Sequence, residues 1–366
     1  MARIRNTEAR WIESRQRWQI NVTGEDGERK TFVSSKPGRK GKLEAERKAD
    51  EWLEESSKHR MRMDDAWKRF IADKGEVSGT QWVAQLDSIY RNWIEPEVGK
   101  KQLHRITPAE WQHCITAANS AGKAKKTLEN IRGAMTAFFD WCDANRVTFD
   151  APKKLTIPKG APVGERTILT NQNIKTLFTE DTVTVRKLTY KAFYIHAWRL
   201  IVILGLRRGE LAGIKCSDID KNNVLHIRRS INRLGEITDG KTENARRDIL
   251  LPAHALRVIE DQKAMLKGLG IATRTWLFPG PDGNQTNTNT LYKQWKQYCK
   301  QHGIKSSLHE LRHTTVSLVK TELPEDLLKQ MIGHSDTMDT DRYKHEVEGD
   351  LEKTANIVEG VFSKIL

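Results

Sequence analysis

Long apolar runs, clustered cysteines and an acidic balance are all missing from this chain of 366 residues. The longest apolar stretch is Leu200 to Leu206, far short of the roughly 20 residues that cross a bilayer, so no membrane span is expected. The first ten residues carry Arg3, Arg5, Glu8 and Arg10 with no apolar run behind them, a start unlike a secretory leader, and a cytoplasmic location is expected. Cys114, Cys142, Cys216 and Cys299 are too scattered for a disulfide frame or a zinc cluster and read as small, reduced core residues. Acids are outnumbered, 48 Asp and Glu against 62 Lys and Arg, for a net charge of +14. That excess attracts a polyanion and releases its counterions on binding, which makes nucleic acid the leading partner class. A hydrophobic fraction of 37% with 30% charged residues is too apolar for disorder throughout, and the length allows two or three domains.

What is present falls into three regions. Residues 1–42 hold 11 Lys and Arg against five acids. Within them Trp18, Ile20 and Val22 alternate with Gln19, Asn21 and Thr23, and a Gly24-Glu25-Asp26-Gly27 turn leads to Thr31-Phe32-Val33, the period-2 pattern of a hairpin. Leu43 to Glu55 reads as a helix. A small sheet with one helix is therefore expected over 1–58, with Arg15, Arg17, Arg29, Lys30, Lys36, Arg39 and Lys40 as candidate DNA contacts, since a basic sheet can lay its strands in a groove. A solvated arm without a partner is the plainer account of the same residues. From Met61 to Phe149 the apolar spacing is helical, in the sets Trp67, Phe70, Ile71, then Trp82, Leu86, Ile89, Tyr90, then Leu128, Ile131, Met135, Phe138, Phe139. These stripes read as the core of a helical domain over 59–152. Pro152, Pro158, Gly160, Pro162 and Gly164 mark a flexible linker at 153–166. In the remaining domain, 167–366, Thr170 suits a helix N-cap and Val224 to Leu251 suits short antiparallel strands. The expected fold class is α+β, mostly helical, ending in a mixed α/β domain.

Three segments of this last domain concentrate side chains that handle phosphate. In Leu204-Gly205-Leu206-Arg207-Arg208-Gly209-Glu210, an apolar helix runs directly into two arginines. At least one guanidinium must emerge at the edge of a core, where its fork suits phosphate oxygens, and Glu210 is placed to orient it; a helix-end ion pair serving stability alone is the bland alternative. Leu308 to Thr314 sets His309, Arg312 and His313 on one helical face, and it also spells the HExxH of zinc peptidases. Arg312 argues against zinc, because a guanidinium one turn from a divalent cation adds like-charge repulsion. The third segment runs from Gly333-His334 to Arg342-Tyr343, a helix-ending glycine followed by a histidine and, nine residues on, a tyrosine.

In this order, Arg207…Lys241…His309-x-x-Arg312…Gly333-His334…Tyr343 resembles the active-site signature of the tyrosine recombinases, the integrase family of phages and mobile elements. The resemblance extends to flanking words, LAGIKCSDID, GKT ahead of RRDILLP, and GHSDTMDTDRY, and covers about 167 to 343. The helical region, with Glu97-Val98-Gly99 and Ile106-Thr107, resembles the family's core-binding domain, and the basic start its arm-binding domain. The resemblance implies that Arg207 and Arg312 clamp the scissile phosphate, Tyr343 is the nucleophile, His309 accepts its proton, Lys241 is the general acid and His334 donates to the phosphate. Glu210 and His313 match supporting positions. A phosphodiester gains negative charge on the way to five-coordinate phosphorus, and a phenol of pKa about 10 needs a proton acceptor and a cationic surround.

On that basis no metal, nucleotide or other cofactor is required. The expected partners are double-stranded DNA attachment sites, a homotetramer in the synaptic complex and a DNA-bending protein or excisionase. The apolar tail with Ile357, Val358, Val361, Phe362, Ile365 and Leu366 suits docking either on a neighbour or on its own domain. Two other functions fit parts of the pattern. A type IB topoisomerase relaxes supercoils with a similar site, and a DNA-binding regulator could sit on the same scaffold with a broken catalytic set, which is not what the residues show.

Overall fold

A computed structural model describes residues 7–24, 29–59, 61–164, 167–239, 246–271, 275–333 and 349–366, and the chain divides into two compact units after Gly164. In the first unit, alternation along the basic segment produces an antiparallel sheet of β1 (Arg10–Ile12), β2 (Arg17–Thr23) and β3 (Arg29–Ser34). Successive side chains of a strand point to opposite faces. Ile20 and Val22 are thereby buried with Ala45 and Ala49 of α1 (Gly38–His59), while Asn21 and Thr23 stay exposed. β1 lies beyond the two strands that the pattern predicts, because Arg-Trp-Ile is too short to display an alternation; Trp11 packs edge-on against its cross-strand partner Trp18 at 5.6 Å.

The helical stripes gather into a separate cluster built from α2 (Met63–Val77), α3 (Thr80–Ile89), α4 (Glu95–Val98), α5 (Pro108–Ser120) and α6 (Lys125–Ala144). Trp67 stacks on Tyr90 at 4.6 Å, and Phe70, Leu86, Ile131, Met135 and Phe138 are buried around them. Trp82 departs from the expected stripe and is 41% exposed, since it occupies the first turn of α3, a helix of which Leu86 is the buried residue. The stretch expected to be a flexible linker is also packed. Leu155 and Ala161 are buried in the helical cluster. The Gln112 side chain accepts from the Thr156 backbone at 2.9 Å and donates back to its carbonyl at 3.0 Å, and the Lys125 amide donates to the Pro162 carbonyl at 2.7 Å. Prolines block a helix or strand there, but an extended segment can still bury alternate side chains and bond sideways to a glutamine.

The second unit is arranged around α8 (Ile195–Leu204), whose ten residues are all buried; eight of them are apolar, as a central helix requires, and the buried Arg199 is satisfied by the Leu177 and Phe178 carbonyls and by Asp181. Before it come α7 (Asn171–Thr179), capped by the Thr170 hydroxyl accepting from the Asn173 amide at 3.2 Å, and a hairpin of β4 (Thr182–Val185) and β5 (Leu188–Lys191). After it come α9 (Arg208–Ala212), β6 (Val224–Ile227), β7 (Ser230–Ile231), β8 (Ile237–Thr238) and β9 (Arg247–Leu250). The expected antiparallel strands are the pairs β6 with β9 and β7 with β8. Then follow α10 (Ala253–Gly268), α11 (Thr288–Gln301), α12 (Leu308–Val319), α13 (Glu325–Ile332) and α14 (Asp350–Ile365). The tail helix α14 packs on its own unit: Val358, Val361, Phe362 and Ile365 join the core, and Glu359 accepts from the His254 amide at the start of α10 at 2.9 Å.

All four cysteines are free thiols, and burial pushes Cys114, Cys142 and Cys299 up to about 12, which leaves them protonated and unreactive. Among the described residues no helix is long and apolar enough to cross a membrane.

Candidate active site

Two glycines set the geometry. α8 ends at Gly205 and α13 ends at Gly333, each in the left-handed conformation with φ of 65° and 63°, a backbone that glycine adopts without the Cβ penalty. Each such end leaves carbonyls without a partner inside its helix. Arginines supply the donors. α12 runs along α8, fastened by the Thr315 hydroxyl on the Val202 carbonyl at 2.7 Å. This places Arg312, buried to 4% exposure, between the two helix ends, donating from Nη1 to the Gly205 carbonyl and from Nη2 to the Ile332 carbonyl, both at 2.7 Å.

Arg207, at the entry to α9, reaches the next carbonyl. Its Nη2 donates to Gly333 at 2.8 Å and its Nη1 to Glu210 Oε1 at 2.6 Å. Unlike Arg312, its side chain is 39% exposed. A guanidinium carries five N–H donors; among the described residues the hydrogen bonds of each of these arginines engage Nη1 and Nη2 once each. The neighbouring Arg208 lies over the Tyr292 ring at 6.0 Å.

Glu210 is 3% exposed. Besides Arg207 Nη1 it accepts from the Arg207 amide at 2.8 Å and, with both oxygens, from Arg247 of β9 at 3.2 and 3.0 Å. Burial pushes its carboxyl up, but the Arg247 guanidinium and the bonds from Arg207 outweigh this and hold it at about 2 instead of 4.5. It is therefore ionised at neutral pH. Arg312 moves the other way for its class, lowered to about 10 by burial and by the Arg207 charge beside it, and stays protonated at neutral pH.

His309 and His313 sit on α12 with rings edge-to-face at 4.4 Å, His309 one turn ahead of Arg312. The glutamate of the HExxH word has another task. Glu310 closes a capping box with Ser307 and accepts from the Thr167 amide at 3.2 Å and hydroxyl at 2.9 Å. Burial raises its carboxyl, but these bonds and the Ser307 amide lower it further. A carboxylate committed to a helix cap and to the Thr167 amide and hydroxyl is not placed to serve as the base of a peptidase.

The structure thus joins Arg207, Glu210 and Arg312 at one point, next to the last residue of α13. Lys241, His334 and Tyr343 lie outside the described residues, as does most of the Gly24 to Gly27 turn. The residue that sequence reasoning missed is Arg247, whose Nε donates to the Met331 carbonyl at 2.7 Å. Three arginines, one on β9, one on α12 and one just before α9, therefore take the successive carbonyls of Met331, Ile332 and Gly333, the negative end of a helix, which favours cations.

The seven basic candidates of the first unit do not share one surface. Arg17 and Arg29 lie on the sheet face turned away from α1, which also presents Arg10, Gln19, Asn21 and Thr31 by register. The amides on it are linked, Gln19 Nε2 to Asn21 Oδ1 at 3.5 Å and the Thr31 hydroxyl to Asn21 Oδ1 at 2.7 Å. Lys30 is on the opposite face, 5.5 Å from the Trp52 ring, and Lys36 pairs with Glu44 at 2.9 Å. Arg15 ends a short turn of helix before β2, and Arg39 and Lys40 begin α1, all exposed.

Residues 167–349 match the profile of the phage integrase family. Over 275 residues, 67% of this chain and 69% of the relative, the chain is 25% identical to a XerC-like tyrosine recombinase of Caldanaerobacter subterraneus subsp. tengcongensis. It is 31% identical over 169 residues to the putative prophage phiRv2 integrase of Mycobacterium tuberculosis, covering 44% of this chain and 43% of that protein. In fold it is similar to the Tn1549 transposon integrase in complex with transposon right end DNA, with a TM-score of 0.60 at 16% identity, covering 80% of this chain and 98% of the other. It is likewise similar to a lambda integrase tetramer bound to a Holliday junction, with a TM-score of 0.58 at 15% identity and coverage of 90% and 92%.

Proposed function

The chain belongs to the phage integrase family, the tyrosine recombinases, and from that membership we propose how its own residues cut and rejoin DNA. It is a tyrosine site-specific recombinase, a DNA strand transferase that works through a 3′-phosphotyrosyl intermediate. Arg207 and Arg312 hold the non-bridging oxygens of the scissile phosphate. The Tyr343 oxygen attacks phosphorus, its proton passes to His309, and the departing 5′ oxygen takes a proton from Lys241. His334 donates to the phosphate, and Glu210 and His313 support the site. The ester formed keeps the energy of the broken bond until the 5′ hydroxyl of another strand reverses the attack, so joining needs no nucleotide.

The observation that best supports this assignment is the docking of Arg207 and Arg312 on adjacent carbonyls, Gly333 and Ile332, which holds both guanidinium groups side by side. Rigid donors aimed where charge develops lower a barrier more than mobile ones, because no reorganisation is needed at the moment of reaction. A topoisomerase reading is not favoured, as the relatives named above are recombinases and integrases.

The partner is double-stranded DNA. One active site breaks one strand, so exchange between two duplexes takes four protomers, in keeping with the tetramer seen for lambda integrase. A DNA-bending protein or an excisionase sets the direction. The sheet of the first unit reads a separate arm site, and the face carrying Gln19, Asn21, Arg17 and Arg29 is the one suited to it, because amides pair with adenine edges and guanidinium groups with guanine or phosphate.

Full-length protein is expected to join two plasmid-borne attachment sites into recombinant junctions. A truncated protein starting near Lys58 is expected to cleave core-site DNA yet lose the distal footprints, with a shallower dependence of binding on salt, about 0.9 in the log–log slope for each phosphate contact removed. Relaxation of supercoils without junctions would point to a topoisomerase. Identical footprints for the two proteins would remove the arm assignment and leave the catalytic one standing.

A further inference from the structure

We propose that Arg247 is a positioning residue for strand cleavage: acting through Glu210 it sets the orientation of Arg207, and through the Met331 carbonyl it fixes the helix end on which Arg207 and Arg312 rest. The inference builds on the assignment of Arg207 to the scissile phosphate. Arg247 is as buried as the carboxylate it holds, each side chain being 4% exposed, so it reaches neither solvent nor DNA. Its guanidinium takes both oxygens of Glu210 and still spends Nε on Met331.

A pair buried this deeply is poor evidence of a stabilising role, since well-packed apolar residues often replace such pairs without loss. The arrangement makes sense through what it does to Arg207. A carboxylate and a guanidinium left to themselves form a two-pronged pair. Here Arg247 and the Arg207 amide occupy Oε2, and Oε1 is shared between Nη1 of Arg247 and Nη1 of Arg207. Arg207 is thereby limited to one bond with Glu210, and its Nη2 is turned to Gly333. Without Arg247, both oxygens of Glu210 become available to Arg207, which swings inward and presents fewer donors to a phosphate.

The charged groups facing Glu210 are Arg207 from its own helix start, Arg247 from β9 and Arg312 from α12. Removing Arg247 takes away the largest cause that keeps the carboxyl low, so Glu210 accepts a proton at higher pH than before. Its folded value then moves back toward the ordinary range, and a group needed as the anion loses function as pH falls through that raised value. An acid limb in the cleavage rate, shifted upward from wild type, is the mark of a positioning role that simple loss of packing does not produce.

The test compares full-length wild type, Arg247→Met, Arg247→Lys and Arg207→Ala on a nicked suicide core-site substrate, at single turnover, with melting temperature and DNA affinity measured beside it. Arg247→Met is expected to bind core DNA as wild type does but to cleave about 10²-fold more slowly once bound, the scale of a misplaced catalytic group, with the acid limb moved up. Arg247→Lys, which keeps the buried charge and cannot span both oxygens, is expected to melt like wild type and recover part of the rate. Wild-type cleavage and pH profile in Arg247→Lys together with an unfolded or equally active Arg247→Met overturn the proposal. So does a loss confined to affinity. Normal cleavage by Arg207→Ala overturns the phosphate assignment and this inference together, whereas a dead Arg207→Ala beside active Arg247 variants overturns only the latter.

Discussion

Tyr343→Phe is expected to abolish the denaturant-resistant protein–DNA adduct and to leave folding and core-site binding unchanged. Only the attacking oxygen is lost, and without it no phosphotyrosyl ester can form. The other five tyrosines show why no substitute is at hand. Tyr90, Tyr194 and Tyr298 are buried, and burial raises the pKa of each hydroxyl above the ordinary range. Tyr90 donates to Asp64 at 2.5 Å and Tyr298 to the Glu180 carbonyl at 2.9 Å, so both are tied into the fold. Tyr190 stands on the exposed strand β5. Tyr292 alone lies next to the arginine segment, under the Arg208 guanidinium. Tyr292→Phe is therefore the control and is expected to form the adduct. Adduct formation by Tyr343→Phe, lost only on adding Tyr292→Phe, would transfer the nucleophile's role to Tyr292.

The large elements were legible in the sequence because burial imposes a period on it. Trp18, Ile20 and Val22 announce a strand, and Trp67, Phe70 and Phe138 a helical core, since each packs one face against its own cluster. The hairpin of β4 and β5 was not legible, for a reason seated in its turn. Arg186 and Lys187 both have positive φ, 48° and 70°, where two-residue hairpins normally place Asn-Gly. The alternation Thr-Val-Thr-Val was there, and the punctuation that would have given it meaning was not. Arg247 was missed through parity. In Arg247-Asp248-Ile249-Leu250 the buried positions are Arg247 and Ile249, so the strand pattern already turned this arginine inward with the core. An inward arginine reads as a surface residue until its carboxylate is known, and Glu210 sits far off in sequence. Arg207, Glu210 and Arg312 could be singled out because two of them share one turn and the third shares a face with His309, but only the fold shows that all three converge on the end of α13.

Arg312→Ala and Arg207→Ala are expected to slow cleavage to a similar degree, about 10² to 10³-fold for each lost donor group at the phosphate, and to differ sharply in stability. Arg312 is buried and supplies the hydrogen bonds of the Gly205 and Ile332 carbonyls. Alanine leaves two buried acceptors without donors, at about 1–3 kcal/mol each, and opens a hole between α8 and α12. Arg207 is 39% exposed. Water can reach the site it vacates, and Glu210 keeps Arg247, so its removal costs little folding free energy. Arg312→Ala should melt several degrees lower than wild type while Arg207→Ala melts with it, although both cleave poorly. Arg312→Lys separates charge from shape. Burial and the Arg207 charge, which lower Arg312 to about 10, act on a lysine whose ordinary value is already near 10.4. The ammonium form is disfavoured, so the charge present at low pH is lost as pH rises through the depressed value. Cleavage by Arg312→Lys should fall with rising pH where wild type holds steady. Equal melting temperatures for the two alanine variants, or a lysine variant whose pH profile follows wild type, would show that Arg312 is neither as buried nor as close to Arg207 as the carbonyl bonds require.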